Sequence, residues 1–118
     1  MTSYDPGDVV LVRFPFTDLS TSKKRPALVI SPPGYASTFG DVVVLALTSR
    51  PQADGSRPLV RWRDAELPKP TWIKPLIATL ASSTLQQRVG SIHVEDVRHV
   101  VNTLRALGAA EFQPTTTR

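Results

Sequence analysis

Residues 41–48 read Asp-Val-Val-Val-Leu-Ala-Leu-Thr, an unbroken apolar run closed at each end by a polar side chain. A run this short and this rich in β-branched residues reads as a strand, and its lack of alternation predicts burial on both faces. Such a strand belongs in the middle of a sheet, so the rest of the chain has to supply its neighbours. With 118 residues there is room for one domain. Two independent cores would leave halves too small to be more than marginally stable.

The neighbours are visible as short segments cut off by turn residues. Gly7-Asp8-Val9-Val10-Leu11-Val12-Arg13-Phe14 predicts a first strand ending at Pro15. Residues 27–31 predict a second, ended by Pro32-Pro33-Gly34. In residues 59–63, Leu59, Arg61 and Arg63 alternate with Val60 and Trp62, which predicts a strand with one largely basic face. Residues 71–77 and 87–92 read as two further short strands, with 78–85 open to either reading. Eleven prolines suit short elements and fixed turns. The polar stretch from Pro15 to Lys24 is longer than a usual connection, and such loops often carry function.

The last element differs in kind. Val97, Val100, Val101, Leu104 and Leu107 recur at helical spacing, Glu95 and Asp96 occupy the first turn, and Gly108 offers a stop. The expected architecture is therefore mainly β with an appended helix: a small, curved sheet or barrel carrying a C-terminal amphipathic helix. Residues 1–108 form one domain in this reading, and residues 109–118 a flexible tail.

Composition removes several chemistries. There is no cysteine, which excludes a thiolate nucleophile, a disulfide scaffold and cysteine-based metal sites. The two histidines, His93 and His99, are read as surface or capping residues, and no metal or other cofactor is expected. The longest charge-free run, residues 26–40, is broken by Pro32-Pro33, so no membrane span is expected. Asp5 and Asp8 stand where a signal peptide would need a basic start, so the expected compartment is the cytoplasm. The net charge is +4, and residues 23–74 carry nine Lys/Arg against four acids. A basic centre of this kind is either a solvated face or a surface for a polyanion.

No glycine-rich phosphate loop or nucleophile elbow is present. What remains is Arg, Thr and Ser at strand ends. Arg25 follows Lys23 and Lys24 at the start of the second strand, and Thr48, Ser49 and Arg50 end the third. If those strands are neighbours, a guanidinium and two hydroxyls meet where they can bind a phosphodiester. Trp62 and Trp72 are read as core residues that are also capable of stacking on bases.

The runs from Gly7 to Asp18 and from Lys24 to Ile30, including Lys24-Arg25-Pro26, resemble the opening of the MazF/PemK family of toxins from toxin–antitoxin systems. The resemblance continues through Asp41-Val42-Val43-Val44-Leu45-Ala46-Leu47-Thr48-Ser49, Leu67-Pro68-Lys69-Pro70-Thr71-Trp72-Ile73-Lys74 and Arg88-Val89-Gly90-Ser91-Ile92. It implies a small SH3-like β-barrel of the MazF/CcdB type, usually a homodimer, neutralised by a partner antitoxin. It also implies a metal-independent endoribonuclease that cuts single-stranded RNA, such as mRNA, at short motifs. The products would be a 2′,3′-cyclic phosphate and a 5′-hydroxyl.

Carried over by motif, Arg25 stabilises the phosphorane or donates to the leaving oxygen, Thr48 bonds a phosphoryl oxygen, and Ser49 assists. Phe16, Lys23, Lys24, Arg50 and Arg57 are the expected RNA contacts. The base is left open. Some PemK-type members use an Arg/Asp pair, for which Arg61, Arg63 and Asp64 are candidates. Many carry an acid in the strand after the Trp motif, whereas here Lys74 is followed by Pro75 and Leu76. The alternatives are a CcdB-like gyrase poison, or a degenerate member that binds RNA or antitoxin without cutting. The Arg-Pro and Thr-Ser motifs favour the nuclease, and the tail from Gln113 to Arg118 lacks an apolar anchor for the poison's mode.

Overall fold

A computed structural model describes residues 3–13, 24–85 and 87–108. Five strands form one antiparallel sheet: β1 (Asp8–Val12), β2 (Arg25–Val29), β3 (Asp41–Thr48), β4 (Trp72–Ala81) and β5 (Gln87–Ser91). Their spatial order is β4-β3-β2-β1-β5. A short helix α1 (Tyr35–Phe39) joins β2 to β3, and α2 (Val97–Gly108) closes the described chain. The order is mainly β with a helix appended, as the sequence predicts. Among the described residues no ladder joins β4 to β5, so the curved sheet is unclosed there.

β3 lies inside the sheet, between β2 and β4, with the expected boundaries. Its alternate residues feed two cores. Val42, Val44 and Ala46 join Val10, Val12, Ala27 and Val29 on one face. Leu45 and Leu47 join Val9, Leu28 and Ile73 on the other. A two-sided core explains why the run has no polar alternation. Bulges between Leu45 and Leu47 on the β4 side, and between Val9 and Val10 on the β5 side, interrupt the ladders.

The predicted strand at residues 59–63 does not form. Residues 60–66 make consecutive turns instead. The Asp96 carboxylate accepts the N–H of Val60 at 2.7 Å and of Arg61 at 2.9 Å, taking the donors a sheet partner would have used. Leu59, Ala65 and Leu67 drop into the second core, and Trp62 packs against it. The Arg63 guanidinium lies 4.5 Å from the Trp62 ring centre.

Helix α2 begins at Val97, and Glu95 and Asp96, expected in its first turn, occupy a separate 3-10 turn before it. His93 caps the preceding turn by accepting the N–H of Glu95 at Nδ1. The apolar stripe is only half used. Val100 is buried and Leu104 packs on the second core, while Val97, Val101 and Leu107 stay exposed. Helix α1 is missing from the sequence reading. It is one turn long and stops at Gly40, whose left-handed backbone lets its N–H donate to the Ala36 carbonyl. No described helix is long and apolar enough to cross a membrane. The expected tail, residues 109–118, lies outside the described residues.

Candidate active site

The β2–β3 register pairs Ala27 with Ala46. Arg25 and Thr48 each stand two residues beyond that pair, at the same end of their strands. A cleft of about 400 Å³ opens there. Its lining brings together Lys24, Arg25, Thr48 and Ser49, four of the six positions the sequence placed at neighbouring strand ends. The opposite wall comes from the segment leading into β4, including Glu66, Pro68 and Lys69. Leu47, Leu67 and Val89 make an apolar floor.

The charges are lopsided. Lys24, Arg25 and Lys69 face the cleft with a single carboxylate, Glu66, among its described lining residues. No described residue forms an ion pair with Arg25 or Glu66. A guanidinium without a committed carboxylate can give its planar fork to a phosphate. Thr48 is oriented by the backbone, since its Oγ1 accepts the N–H of Arg50 at 3.2 Å, leaving the hydroxyl proton free to donate elsewhere. Together these groups can hold a phosphodiester and stabilise the extra negative charge of a pentacoordinate phosphorus.

Other expected residues are distributed differently. Arg50 is exposed beside the cleft but does not line it. Arg57 lines a separate depression with Arg98, His99 and Asn102, so it is not brought to the candidate site. Phe16 and Lys23 lie outside the described residues. Arg61 is engaged elsewhere: its guanidinium donates to Glu95 at 3.2 and 3.1 Å and lies 3.6 Å from Asp64. The hydrogen bonds from Arg61, and then its charge, hold the Glu95 carboxyl below its ordinary range. Arg61 therefore pairs with Asp64 inside the turns and ties them to Glu95 in the turn that precedes α2, and none of the three lines the cleft. Trp72 is half-buried, and its indole N–H donates to the Ser56 carbonyl at 3.1 Å. His99 lies on α2 with its Nε2 buried and unpartnered among the described residues.

Glu66 is the residue that sequence reasoning missed. It ends the run of turns rather than sitting in a recognisable motif, and its signal is conformational: among the described residues it is the non-glycine residue with positive φ, at 63°. Among the described residues, no group of three or more His, Cys, Asp or Glu side chains is gathered as metal ligands would be.

A family model for PemK-like, MazF-like toxins of type II toxin–antitoxin systems matches residues 5–108. The chain belongs to that family. Solved structures agree on the fold. MazF from Deinococcus radiodurans superposes with a TM-score of 0.70 at 23% identity, covering 92% of this chain and 99% of that one. A MazE–MazF structure from the same organism gives 0.70 at 19% identity, covering 90% and 96%. An endoribonuclease in complex with its cognate antitoxin, from a Mycobacterial species, gives 0.65 at 17% identity, covering 96% and 100%. No curated protein sequence matches the chain. Family membership accounts for the order of the motifs, and the cleft shows that the Arg-Pro and Thr-Ser motifs meet in space.

Proposed function

We propose that this toxin is an endoribonuclease that cuts single-stranded RNA, mRNA included, in the cytoplasm, with Arg25 and Thr48 at the reacting phosphate. The observation that carries the reading is the convergence of Lys24, Arg25, Thr48 and Ser49 on one cleft. The ribose 2′-hydroxyl attacks the adjacent phosphorus, and the 5′-oxygen leaves. Arg25 neutralises charge on the non-bridging oxygens, and the Thr48 and Ser49 hydroxyls donate to them. Preorganised donors of this kind are worth roughly 10²–10³ in rate apiece. Lys24 and Lys69 hold the flanking backbone, where charge rather than base identity is read.

An antitoxin is the natural inhibitor in this reading. The structural relatives that contain one support it, and a basic cleft with an apolar floor suits an acidic segment that orders on binding. A homodimer is proposed as well. Val94, Val97 and Val101 are exposed, and they border an apolar groove of about 440 Å³ lined on its other side by Gly7, Leu28, Ile30 and Ile92.

The test is digestion of a long, weakly structured RNA in EDTA, followed by end mapping. Discrete cuts bearing 5′-hydroxyl and 2′,3′-cyclic phosphate ends are expected, with none at a position given a 2′-deoxy sugar. Intact RNA would remove the nuclease assignment and redirect the search to gyrase inhibition and antitoxin binding.

A further inference from the structure

We propose that Glu66 is the proton acceptor for the attacking 2′-hydroxyl, an inference that rests on the nuclease reading above. The missing acid after Lys74 leaves the reaction without an evident base. Glu66 supplies a carboxylate to the same cleft from a different segment of the chain.

The backbone around Glu66 is held in a way its exposure does not require. Ala65 and Leu67, its neighbours, are buried in the second core at 1% and 6% exposure. The N–H of Glu66 donates to the Arg63 carbonyl at 3.0 Å, and that of Leu67 donates to the Trp62 carbonyl at 3.2 Å. On the other side lies Gly90 of β5. A Cβ there would stand 2.4 Å from the Ala65 carbonyl oxygen and 3.1 Å from the Glu66 Cβ. The turn is thus pinned by the core above and by a glycine notch below. In that seating, residue 66 has φ of 63°. Glycine would occupy this conformation without strain, yet the position holds a glutamate. An ionisable side chain kept at a strained position, on the wall of a cationic cleft, is what a reacting group requires.

The step balances. The 2′-hydroxyl proton passes to a Glu66 oxygen as the 2′-oxygen–phosphorus bond forms. The phosphorus–5′-oxygen bond breaks, and the departing oxygen takes a proton from water. The hydroxide left behind is neutralised by the proton on Glu66, which restores the carboxylate. Arg25, Lys24 and Lys69 hold the phosphate beside it.

The experiment compares wild type, Glu66→Gln, Glu66→Gly and Arg25→Ala by single-turnover cleavage at saturating RNA, with RNA affinity and thermal midpoint measured alongside. Both Glu66 variants are expected to lose roughly 10²–10⁴-fold in rate while binding RNA at least as well. Glu66→Gly is expected to melt at or above the wild-type temperature, because the left-handed backbone suits glycine. That combination separates a chemical role from a structural one. Cleavage by either variant within about threefold of wild type, well short of the effect of losing a base, overturns the proposal. So does a loss confined to affinity. If Arg25→Ala is inactive while the Glu66 variants cut normally, only the base assignment falls. If wild type itself leaves the RNA intact, the nuclease reading falls and takes this one with it.

Discussion

Asp96 reaches across 36 positions of sequence to accept the N–H of Val60 at 2.7 Å. With its second oxygen on the N–H of Arg61, the buried carboxylate fixes the turns of residues 60–66 to the start of α2. Those turns carry Glu66 to the cleft. Asp96→Ala strands two backbone donors, and is expected to cost about 2–4 kcal/mol in chemical denaturation. Asp96→Asn keeps one acceptor and is expected to cost less. Equal stability of all three proteins would show that the clamp is not structural.

Gly90 sits where a side chain has no room. Gly90→Ala places a methyl group 2.4 Å from the Ala65 carbonyl oxygen, so the turn or β5 has to move. A loss of about 1–3 kcal/mol is expected, by the rule for overpacked sites. The cleavage rate is expected to fall further than the folded fraction does, because Glu66 moves with the turn. A variant as stable and as active as wild type would contradict the notch.

These two contacts also show where the sequence stops being legible. β3 was readable to its ends because its pattern, an apolar run between polar closers, is local. Residues 59–63 carry a local pattern of their own, an alternation that reads as a strand, yet they turn, because the deciding partner is Asp96 on another element. Arg25, Thr48 and Ser49 were legible as a group, since two neighbouring strands bring their ends together by register alone. Glu66 was not, because nothing in a glutamate announces a positive φ. The charge of Arg57 is visible in sequence, whereas the depression it lines is set by the path of the turns.

The sheet depends on its two-sided core. Leu28 is 1% exposed and opposes Leu45 in the β2–β3 ladder. Leu28→Ala is expected to cost about 2–5 kcal/mol, measured as a lowered denaturation midpoint at unchanged slope.

The Arg61–Glu95 pair is a source of acid sensitivity among the described residues. Arg61 depresses the Glu95 carboxyl below its ordinary value of 4.5. A depressed native value stabilises the fold above the unfolded value, and the gain disappears as pH falls through the native one. Glu95→Gln is therefore expected to flatten the decline in stability below about pH 4.5, a small effect because both partners face solvent. An unchanged acid limb would place the sensitivity elsewhere.

RNA binding should weaken with salt. Lys24→Ala is expected to reduce the slope of log K against log salt by about 0.7, the increment for one contact to a single strand. Arg57→Ala, on the separate depression, is expected to leave the slope unchanged. The reverse pattern would move the RNA path off the cleft.

The most direct test of the central claim is the single-turnover rate of Arg25→Ala against wild type, in EDTA and at saturating single-stranded RNA. The cleft between β2 and β3 predicts that the folded variant still binds RNA but cuts it at least roughly 10²-fold more slowly. Cleavage by Arg25→Ala at the wild-type rate would contradict the assignment of this cleft as the active site.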